Sequence, residues 1–400
     1  MATAARRRRL SRRGARLPRN VRVLSAVSFF QDAASELLYP VLPLFVTGVL
    51  GAPPSALGVI EGVAEGTASA GKAVSGRLAD RRRRRPLVAA GYGISSLAKP
   101  LIGAATGWGL VLVARFTDRL GKGIRTSPRD ALIAADTRPE LRGRAFGFHR
   151  AADSAGAVVG PLLGLALYEA LNHDIRPLFF IAAGPALIST ALVWLVRERP
   201  GPGARGGPVM AARAAALPRA YWRLVAVLTV FALANFSDTF LILRAHDLGL
   251  DFVSVVGAYA AYNAVYAGLS YPAGRLSDRV PRRLVFAGGL AAFALAYVGL
   301  GAAGSGGWVW VLLPLYGAYT ALTDGVARAW VADVAPPAVV GSGLGYYHAL
   351  TGGGLLVAGV WAGLAWGQGG SVPLLASGAA VGALALVLAA AGRALDPPRD

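Results

Sequence analysis

The sequence contains no cysteine, only two methionines and four histidines, and few charged residues. Without cysteine there can be no disulfide or thiol chemistry. The 400 residues are 55% hydrophobic but only 16% charged, whereas about a quarter of the residues in a soluble domain are typically charged. Most of the surface must therefore face something other than water. The 52 glycines fit helices that pack closely in lipid.

Signals of enzyme chemistry are also lacking. The four histidines are scattered without metal-ligand spacing, and the sequence has no nucleophile elbow, phosphate-binding P-loop or GxGxxG motif. An ATP-driven pump would need a nucleotide-binding domain, for which the sequence has no candidate stretch. We therefore expect no enzymatic activity, no cofactor and no metal site.

The net charge of +20 would suit a nucleic-acid-binding protein, but the position of the cations argues against it. Arginine and lysine concentrate in the N-terminal tail and in the stretches 77–85, 119–150, 197–223 and 275–283, whereas the intervening loops are nearly free of them. This positive-inside pattern predicts a multi-pass protein of the plasma (inner) membrane with both termini in the cytoplasm. No nucleic-acid partner is expected.

Twelve segments are long and apolar enough to cross a membrane, which takes about 20 mainly apolar residues. The first is too long for a signal peptide and carries acidic residues, so we interpret it as a span. The sequence therefore predicts an all-α integral membrane protein. The predicted spans are 22–49, 56–78, 86–105, 108–133, 145–170, 177–196, 222–244, 253–276, 284–303, 308–332, 343–366 and 372–392.

The two halves of the sequence repeat each other. The run GRLADR at 76–81 recurs as GRLSDR at 274–279, and the same offset carries Gly147 onto Gly345. Six spans per half make the halves parallel repeats about an axis normal to the membrane. The predicted organisation is a basic cytoplasmic tail at 1–20, a six-helix bundle at 21–197, a cytoplasmic linker at 198–220, a pseudo-symmetric six-helix bundle at 221–393 and a tail at 394–400.

The repeated run resembles the loop that follows the second helix in the major facilitator superfamily, written G-x-L-x-D-R-x-G-R-R. Here Arg83 stands where the family often has glycine, and the second copy contains Pro281. A stop-transfer charge cluster is the general alternative, but two copies at equivalent places favour the family motif. The resemblance implies close helix approach at the glycines, pairing by the acids, anchoring of the arginines at membrane lipids, and a gating role for Gly76, Asp80, Arg81, Gly274, Asp278 and Arg279.

The fifth span contains Gly156, Gly160 and Pro161, which resemble the superfamily's antiporter motif, G-x8-G-x3-G-P-x2-G-G, with Leu165 in place of the last glycine. In the family this motif goes with exporters. Glycine is common in membrane helices, and its spacing here would also serve helix packing alone.

The fourth span carries a dense run of charges that begins with Arg115, Asp118 and Arg119 and is similar to a poorly characterised prokaryotic branch of the superfamily. It departs from the common fourth-helix motif, R-x-x-Q-G-x-G, because Arg115 stands too far from Gly121. Charges within a span must face protein or a water-filled cavity and pair. Alternatively, the part from 122 to 129 consists of anchors at the cytoplasmic surface.

Two pairs of acids stand four residues apart and therefore share a helix face: Asp32 with Glu36, and Glu61 with Glu65. Such an acid can be structural, satisfied by a cation or a backbone donor. Desolvation can also make it take up and release a proton near neutral pH. The four residues are thus candidates for proton coupling, with Asp32 and Glu36 first.

The second half offers a polar and aromatic surface. Aromatic rings with polar tips at helical spacing suit a cavity that binds and releases an amphiphilic molecule, although an interfacial belt or helix packing would look similar. The candidate cavity residues are Asn235, Asp238, Tyr259, Tyr262, Asn263 and Tyr266.

Together these features predict a secondary active transporter that works by alternating access, with proton-coupled export of a small organic molecule such as a drug or metabolite. The expected partners are the substrate, protons and membrane lipids, and the chain is expected to be monomeric. Nutrient uptake, lipid flipping and a transport-dead membrane sensor stay open as alternatives.

Overall fold

The computed structural model describes residues 17–39, 41–52, 54–198, 217–366 and 370–390. Every regular element in these residues is a helix. Along the described residues the helices form twelve successive spans, as the sequence predicts, and we number them 1 to 12.

Spans 1 to 6 form the first half. Span 1 joins the helix Arg19–Glu36 to a short helix, Val41–Leu44, and a π-helical turn, Phe45–Val49. Span 6 consists of Arg176–Ile181 and Ala183–Val193. The others are span 2, Pro54–Arg81, span 3, Arg84–Gly103, span 4, Trp108–Asp136, and span 5, Arg142–Ala170.

Spans 7 to 12 form the second half. Span 7 has two pieces, Arg219–Ala232 and Asp238–Asp247. The remaining five are span 8, Phe252–Ser277, span 9, Arg282–Ala302, span 10, Val309–Val334, span 11, Val340–Leu364, and span 12, Ser371–Ala390.

Spans 1 and 7 are interrupted near their middle, whereas the sequence prediction had each of them continuous. In span 1 the helix ends at Glu36, shortly before Tyr39, whose α conformation is disfavoured by the proline that follows it in the sequence. In span 7 the unwound residues 233–237 include Asn235 and Ser237, whose side chains compete with the helix for backbone hydrogen bonds. Broken helices are tolerated in a membrane where they are buried in protein or line a cavity.

The two halves pack their helices in the same order. Span 1 contacts span 5, span 2 contacts span 4, and span 3 contacts spans 4 and 6; the same pairs recur as 7–11, 8–10, 9–10 and 9–12. Between the halves, span 5 contacts span 8 and span 2 contacts span 11, and these contacts are equivalent under the same relation. The fold is therefore two pseudo-symmetric six-helix bundles, as predicted.

The outside of the bundles is apolar. Leu162, Leu364 and Leu386 expose 57%, 86% and 73% of their surface, which suits contact with lipid rather than water. Among the described residues, four helices are long and apolar enough to cross a membrane by length and composition alone: Pro139–Ala170, Arg176–Val193, Arg282–Ala302 and Ser371–Ala390. Several of the other spans carry charged groups, such as Asp130 in span 4, that face neighbouring helices.

One end of the bundles is strongly basic. It includes Arg82 and Arg83 after span 2, Arg138 before span 5, and Arg279 after span 8, all of which are exposed. We call it the basic end, and the other the opposite end.

Candidate functional site

A cavity of about 470 Å³ lies between the two halves. Span 1 contributes Glu36 and Tyr39 to its wall, and span 2 contributes Lys72. Most of the wall comes from spans 7, 8, 10 and 11 of the second half. The volume is within the range of small-molecule sites, about 300–1,000 Å³. Five tyrosines of the second half line it: Tyr259, Tyr262, Tyr316, Tyr319 and Tyr347.

Two of the six predicted cavity residues lie behind the wall. The Asn263 amide donates to the carbonyl oxygen of Tyr259 (3.1 Å), and the Tyr266 hydroxyl donates to the Asp324 carboxylate (2.6 Å). Both side chains are buried. The other four line the cavity directly: Asn235, Asp238, Tyr259 and Tyr262.

The break in span 7 brings the Asp238 carboxyl into the wall. It accepts hydrogen bonds from the Tyr316 hydroxyl (2.8 Å) and the Tyr262 hydroxyl (3.2 Å). Beside it, the Asn235 amide donates to the Tyr319 hydroxyl (3.0 Å). Tyr316 and Tyr319 were not among the predicted residues, although their i, i+3 spacing matches that of Tyr259 and Tyr262.

The glycine stripe of span 5 is the surface on which span 1 lies. A Cβ on Gly156 would come within 2.5 Å of the Phe29 carbonyl oxygen, and one on Gly160 within 2.6 Å of the Ala33 carbonyl oxygen. The span 5 helix continues through Pro161. The glycines therefore allow backbone contact along the part of span 1 that carries the two acids.

The Asp32 carboxyl of span 1 faces span 5, where it lies close enough to the Asp153 carboxyl for the two to interact. Two carboxyl groups can share a hydrogen bond only when one of them is protonated. Asp153 also accepts a hydrogen bond from the Ser28 hydroxyl and pairs with Arg150 (2.6 Å). The sequence prediction missed Asp153, although Arg150 and Asp153 stand three apart in an otherwise apolar span.

Arg150 also reaches the other half. Its guanidinium lies 3.2 Å from Asp324 of span 10, and Asp324 in turn pairs with Arg328 (2.9 Å). Arg328 lies 3.7 Å from Asp130 of span 4. Both contacts join the two halves, close to the cavity wall that contains Asp324 and Arg328.

Asp130 is fully buried and contacts Arg129, Arg328 and His348. Its carboxylate accepts a hydrogen bond from Arg129 (3.0 Å) and lies 3.0 Å from the Nε2 atom of His348 in span 11. Arg125 and Arg129 are each only 5% exposed. These arginines therefore face protein, and the alternative of anchors at the membrane surface does not apply to them.

The fourth-span charges lie against span 3. Asp118 lies 3.8 Å from the Lys99 ammonium and 3.9 Å from Arg115. Lys99 is buried and donates to the Ser35 hydroxyl of span 1 (3.3 Å). Arg119 is near enough to act electrostatically on Asp118 and on Glu36. Lys99, which the sequence prediction missed, thus connects these charges to span 1.

At the basic end, Asp80 caps a helix of the other half. Its carboxylate accepts hydrogen bonds from the backbone N–H groups of Gly341 (2.8 Å) and Ser342 (2.6 Å), in the first turn of span 11. Arg84 lies 3.8 Å from the same carboxylate. A carboxylate is favourable at a helix N-terminus because unpaired N–H groups and the positive end of the dipole meet there.

Asp278 makes the equivalent contact in the opposite direction. Its carboxylate accepts hydrogen bonds from the backbone N–H groups of Gly143 (2.8 Å) and Arg144 (2.9 Å), in the first turn of span 5. Burial raises the pKa of Asp278 to about 6, although Arg282 and the two N–H groups act in the other direction. The two acids cap each other's bundle.

Glycines stand beside both caps. A Cβ on Gly76 would come within 2.5 Å of the Gly341 carbonyl oxygen and 2.8 Å of the Gly345 Cα atom. Gly274 contacts Gly143 and Gly147 in the same way. The two other motif residues, Arg81 and Arg279, are exposed at the basic end.

Glu61 and Glu65 belong to span 2, but their side chains lie outside the described part of the structure. Their role in proton coupling stays a prediction. The same holds for the predicted tails, of which residues 1–16 and 391–400 are not described.

Known proteins resemble this chain in sequence and in fold. The family model described as Major Facilitator Superfamily matches residues 24–348 and 245–400. An uncharacterised MFS-type transporter of Methanocaldococcus jannaschii is 31% identical over 357 residues, covering 88% of this chain and 89% of the relative. The multidrug resistance protein MdtH of Aeromonas hydrophila is 29% identical over 251 residues, 61% of each chain.

Solved structures show the same fold at low sequence identity. The human organic anion transporter MFSD10 superposes with a TM-score of 0.75 at 16% identity, covering 93% of this chain and 100% of that one. The fucose:proton symporter FucP of E. coli gives a TM-score of 0.73 at 14% identity, with 92% and 98% coverage. Family match, relatives and fold agree: this chain is a membrane transporter of the major facilitator superfamily.

Proposed function

We propose that this transporter couples proton movement to the export of a small organic molecule by alternating access. The observation that carries the proposal is a chain of charged groups that begins at Asp32 in the first half. It runs through Asp153 and Arg150 to Asp324 in the cavity wall of the second half. A proton-binding pair is thereby connected to the interface that has to open.

The closure of one end of the cavity supports alternating access. Asp80 and Asp278 tie the halves together at the basic end, and the positive-inside pattern favours a cytoplasmic location for that end. The conformation described would then be closed to the cytoplasm. We further propose that the bundles at 21–197 and 221–393 move as rigid bodies joined by the linker at 198–220.

A proton shared between Asp32 and Asp153 would provide the coupling. Loss of this proton would add one negative charge beside Arg150, which is shared between Asp153 and Asp324. Arg150 would then be held more strongly by its own half and less strongly by the other. The protonation state of the pair would in this way change the strength of a contact across the interface. Glu36, which lines the cavity, is the second candidate for proton binding.

Export is supported by two observations. The glycine stripe of span 5, which resembles the antiporter motif, holds span 1 with its acids, and one relative bears the name of a multidrug resistance protein. The name of FucP shows that this fold also serves a symporter. Direction therefore has to be measured.

The experiment starts from a thermal-shift screen of the purified protein against a varied compound library, because a ligand that binds the native state stabilises it. The hit is then followed in proteoliposomes with an imposed pH gradient. We expect Asp32→Asn, Asp153→Asn and Glu36→Gln to reduce gradient-driven accumulation, while exchange of ligand at equal pH continues in at least one of them. Asp174→Asn, an exposed acid at the opposite end, is the matched control.

Full uphill transport by all three variants would contradict the coupling proposal and direct attention to Glu61 and Glu65. Accumulation driven in the direction of the proton gradient would indicate uptake instead of export. Ligand binding without flux in the wild-type protein would favour a sensor.

A further inference from the structure

Asp238 in the cavity wall has no ion-pair partner among the described residues. Among the described residues, no Lys, Arg or His nitrogen lies within 4.0 Å of the Asp238 carboxylate, whose hydrogen-bond partners are the Tyr262 and Tyr316 hydroxyls. Four other acids inside the bundles all have a cation in that range: Asp118, Asp130, Asp153 and Asp324. A carboxylate at membrane depth is costly unless a cation compensates for it.

The tyrosines around Asp238 form a packed aromatic cluster in the cavity wall. The Tyr262 and Tyr316 rings lie 5.4 Å apart between centroids with an angle of 30°, and the Tyr316 and Tyr319 rings lie 5.0 Å apart. Tyr259 lies 5.4 Å from Tyr262. The face of an aromatic ring attracts a cation, and aromatic cages recognise ammonium groups.

The rest of the cavity wall also favours a positively charged ligand. Glu36, from the other half, also has no ion pair within 4.0 Å among the described residues. Of the cations in the wall, Arg328 is paired with Asp324, and Lys72 has an interaction of its own. Apolar side chains such as Phe231 complete the wall. The cavity therefore offers two carboxyl groups without an ion pair among the described residues, beside aromatic and apolar surface.

We infer that the cavity binds an amphiphilic organic cation, with its charged nitrogen beside the Asp238 carboxylate and its apolar part against the tyrosine cluster. This rests on the proposed transport of a small organic molecule and narrows its chemical class. An organic anion would meet an unpaired carboxylate at this position and would be repelled. Glu36 remains available for a proton while Asp238 holds the cation.

The test compares three probes of nearly the same shape on the purified full-length protein. Benzyltrimethylammonium is the cation, neopentylbenzene is its neutral carbon isostere, and benzylphosphonate is an anion. We expect calorimetric titration to show at least tenfold tighter binding of the cation than of either other probe. Equal affinity for the cation and the neutral isostere, or preference for the anion, would overturn the inference.

Variants locate the site. Asp238→Asn should weaken cation binding at least tenfold and leave binding of the neutral isostere unchanged, whereas Asp247→Asn, at the exposed end of the same ten-residue helix, should change neither. Tyr316→Phe keeps the ring and should bind the cation better than Tyr316→Leu. Each variant is first checked for a monodisperse profile and a wild-type melting temperature. If Asp238→Asn does not fold, the single variants Asp238→Glu and Tyr316→Leu are used instead to test whether this part of the wall binds the cation.

Measurements of probe flux in proteoliposomes distinguish a failure of this inference from a failure of the proposed function. Selective cation binding without flux in proteoliposomes would leave the inference standing and contradict the transport proposal. Proton-driven flux of neutral or anionic compounds with no preference for the cation would support the transport proposal and overturn the inference.

Discussion

Asp80 of the first half accepts a hydrogen bond from the backbone N–H of Gly341, at the start of a helix in the second half. Asp278, 198 residues later in the second half, accepts one from the backbone N–H of Gly143, at the start of a helix in the first half. The repeat that is visible in the sequence is thus a pair of reciprocal caps in three dimensions. Because each acid belongs to one bundle and its N–H donors to the other, both caps must break when the basic end opens.

Removing a cap should shift the protein toward a conformation open at the basic end. Asp80→Ala deletes the acceptor of two charge-assisted hydrogen bonds, each worth about 1.5–3 kcal/mol, so the ratio of closed to open protein should fall about tenfold or more. The chain has no native cysteine, so spin labels at Arg138 and Arg279, exposed in different halves, can report the opening as a distance. Glu140→Ala, an exposed acid at the same end, is the control. An unchanged distance distribution in Asp80→Ala would show that the cap does not hold the halves together.

The Asp278 cap should depend on pH. Burial raises the pKa of Asp278 to about 6 from a usual value of 3.8, so the folded protein binds this proton more tightly than the unfolded chain does. The stabilising contribution is therefore present below about pH 4 and is lost as the pH rises through 6. We expect the melting temperature of the wild type, relative to Asp278→Ala, to fall between pH 4.5 and 7. A constant difference between the two proteins would contradict the assignment.

The glycines beside the caps should not tolerate a methyl group. In Gly76→Ala the added Cβ would collide with the backbone of span 11, and overpacking of this kind typically costs about 1–3 kcal/mol. We expect a lower melting temperature and a population open at the basic end, measured with the same pair of spin labels. Gly66→Ala is the matched control in the same helix, since nothing lies within 4 Å of its Cβ. Equal behaviour of the two variants would exclude a steric role for Gly76.

The buried charges around Asp130 should be sensitive to neutralisation. Asp130→Asn leaves Arg129 and His348 without their anionic partner and leaves Arg328 with Asp324 alone. Breaking a buried pair on one side typically costs about 3–5 kcal/mol. We expect a large loss of stability in thermal unfolding of the detergent-solubilised protein. Asp174→Asn should melt like the wild type. A wild-type melting temperature for Asp130→Asn would mean that the arginines find other acceptors.

The fold could be predicted because its signals are local in the sequence. The length of the apolar segments, the side on which cations concentrate and the repeated run at Gly76 and Gly274 each need only a short stretch of chain. The helix breaks were missed because a span interrupted near Glu36 or Asn235 is still mainly apolar and long enough to cross the membrane.

The site was predicted less completely, because its contacts join distant parts of the chain. Asp32 and Glu36 share a helix face, as the spacing predicts, but the sequence does not show that Asp153 lies opposite Asp32. The contact between Asp130 and His348 across the halves depends on which faces of spans 4 and 11 meet. Pairing of this kind follows from helix packing and leaves no pattern in one sequence.

The contacts between Gly76 and span 11 and between Gly274 and span 5 have a consequence for the speed of transport. Surfaces that meet without side chains can separate and rejoin without any rotamer change. In the proposed cycle we expect the acids beside them to determine how long the closed state lasts, and the glycines to let it form quickly. Lifetime and closing rate are thus assigned to different residues, and a change at one type of position can alter the cycle time without altering the other quantity.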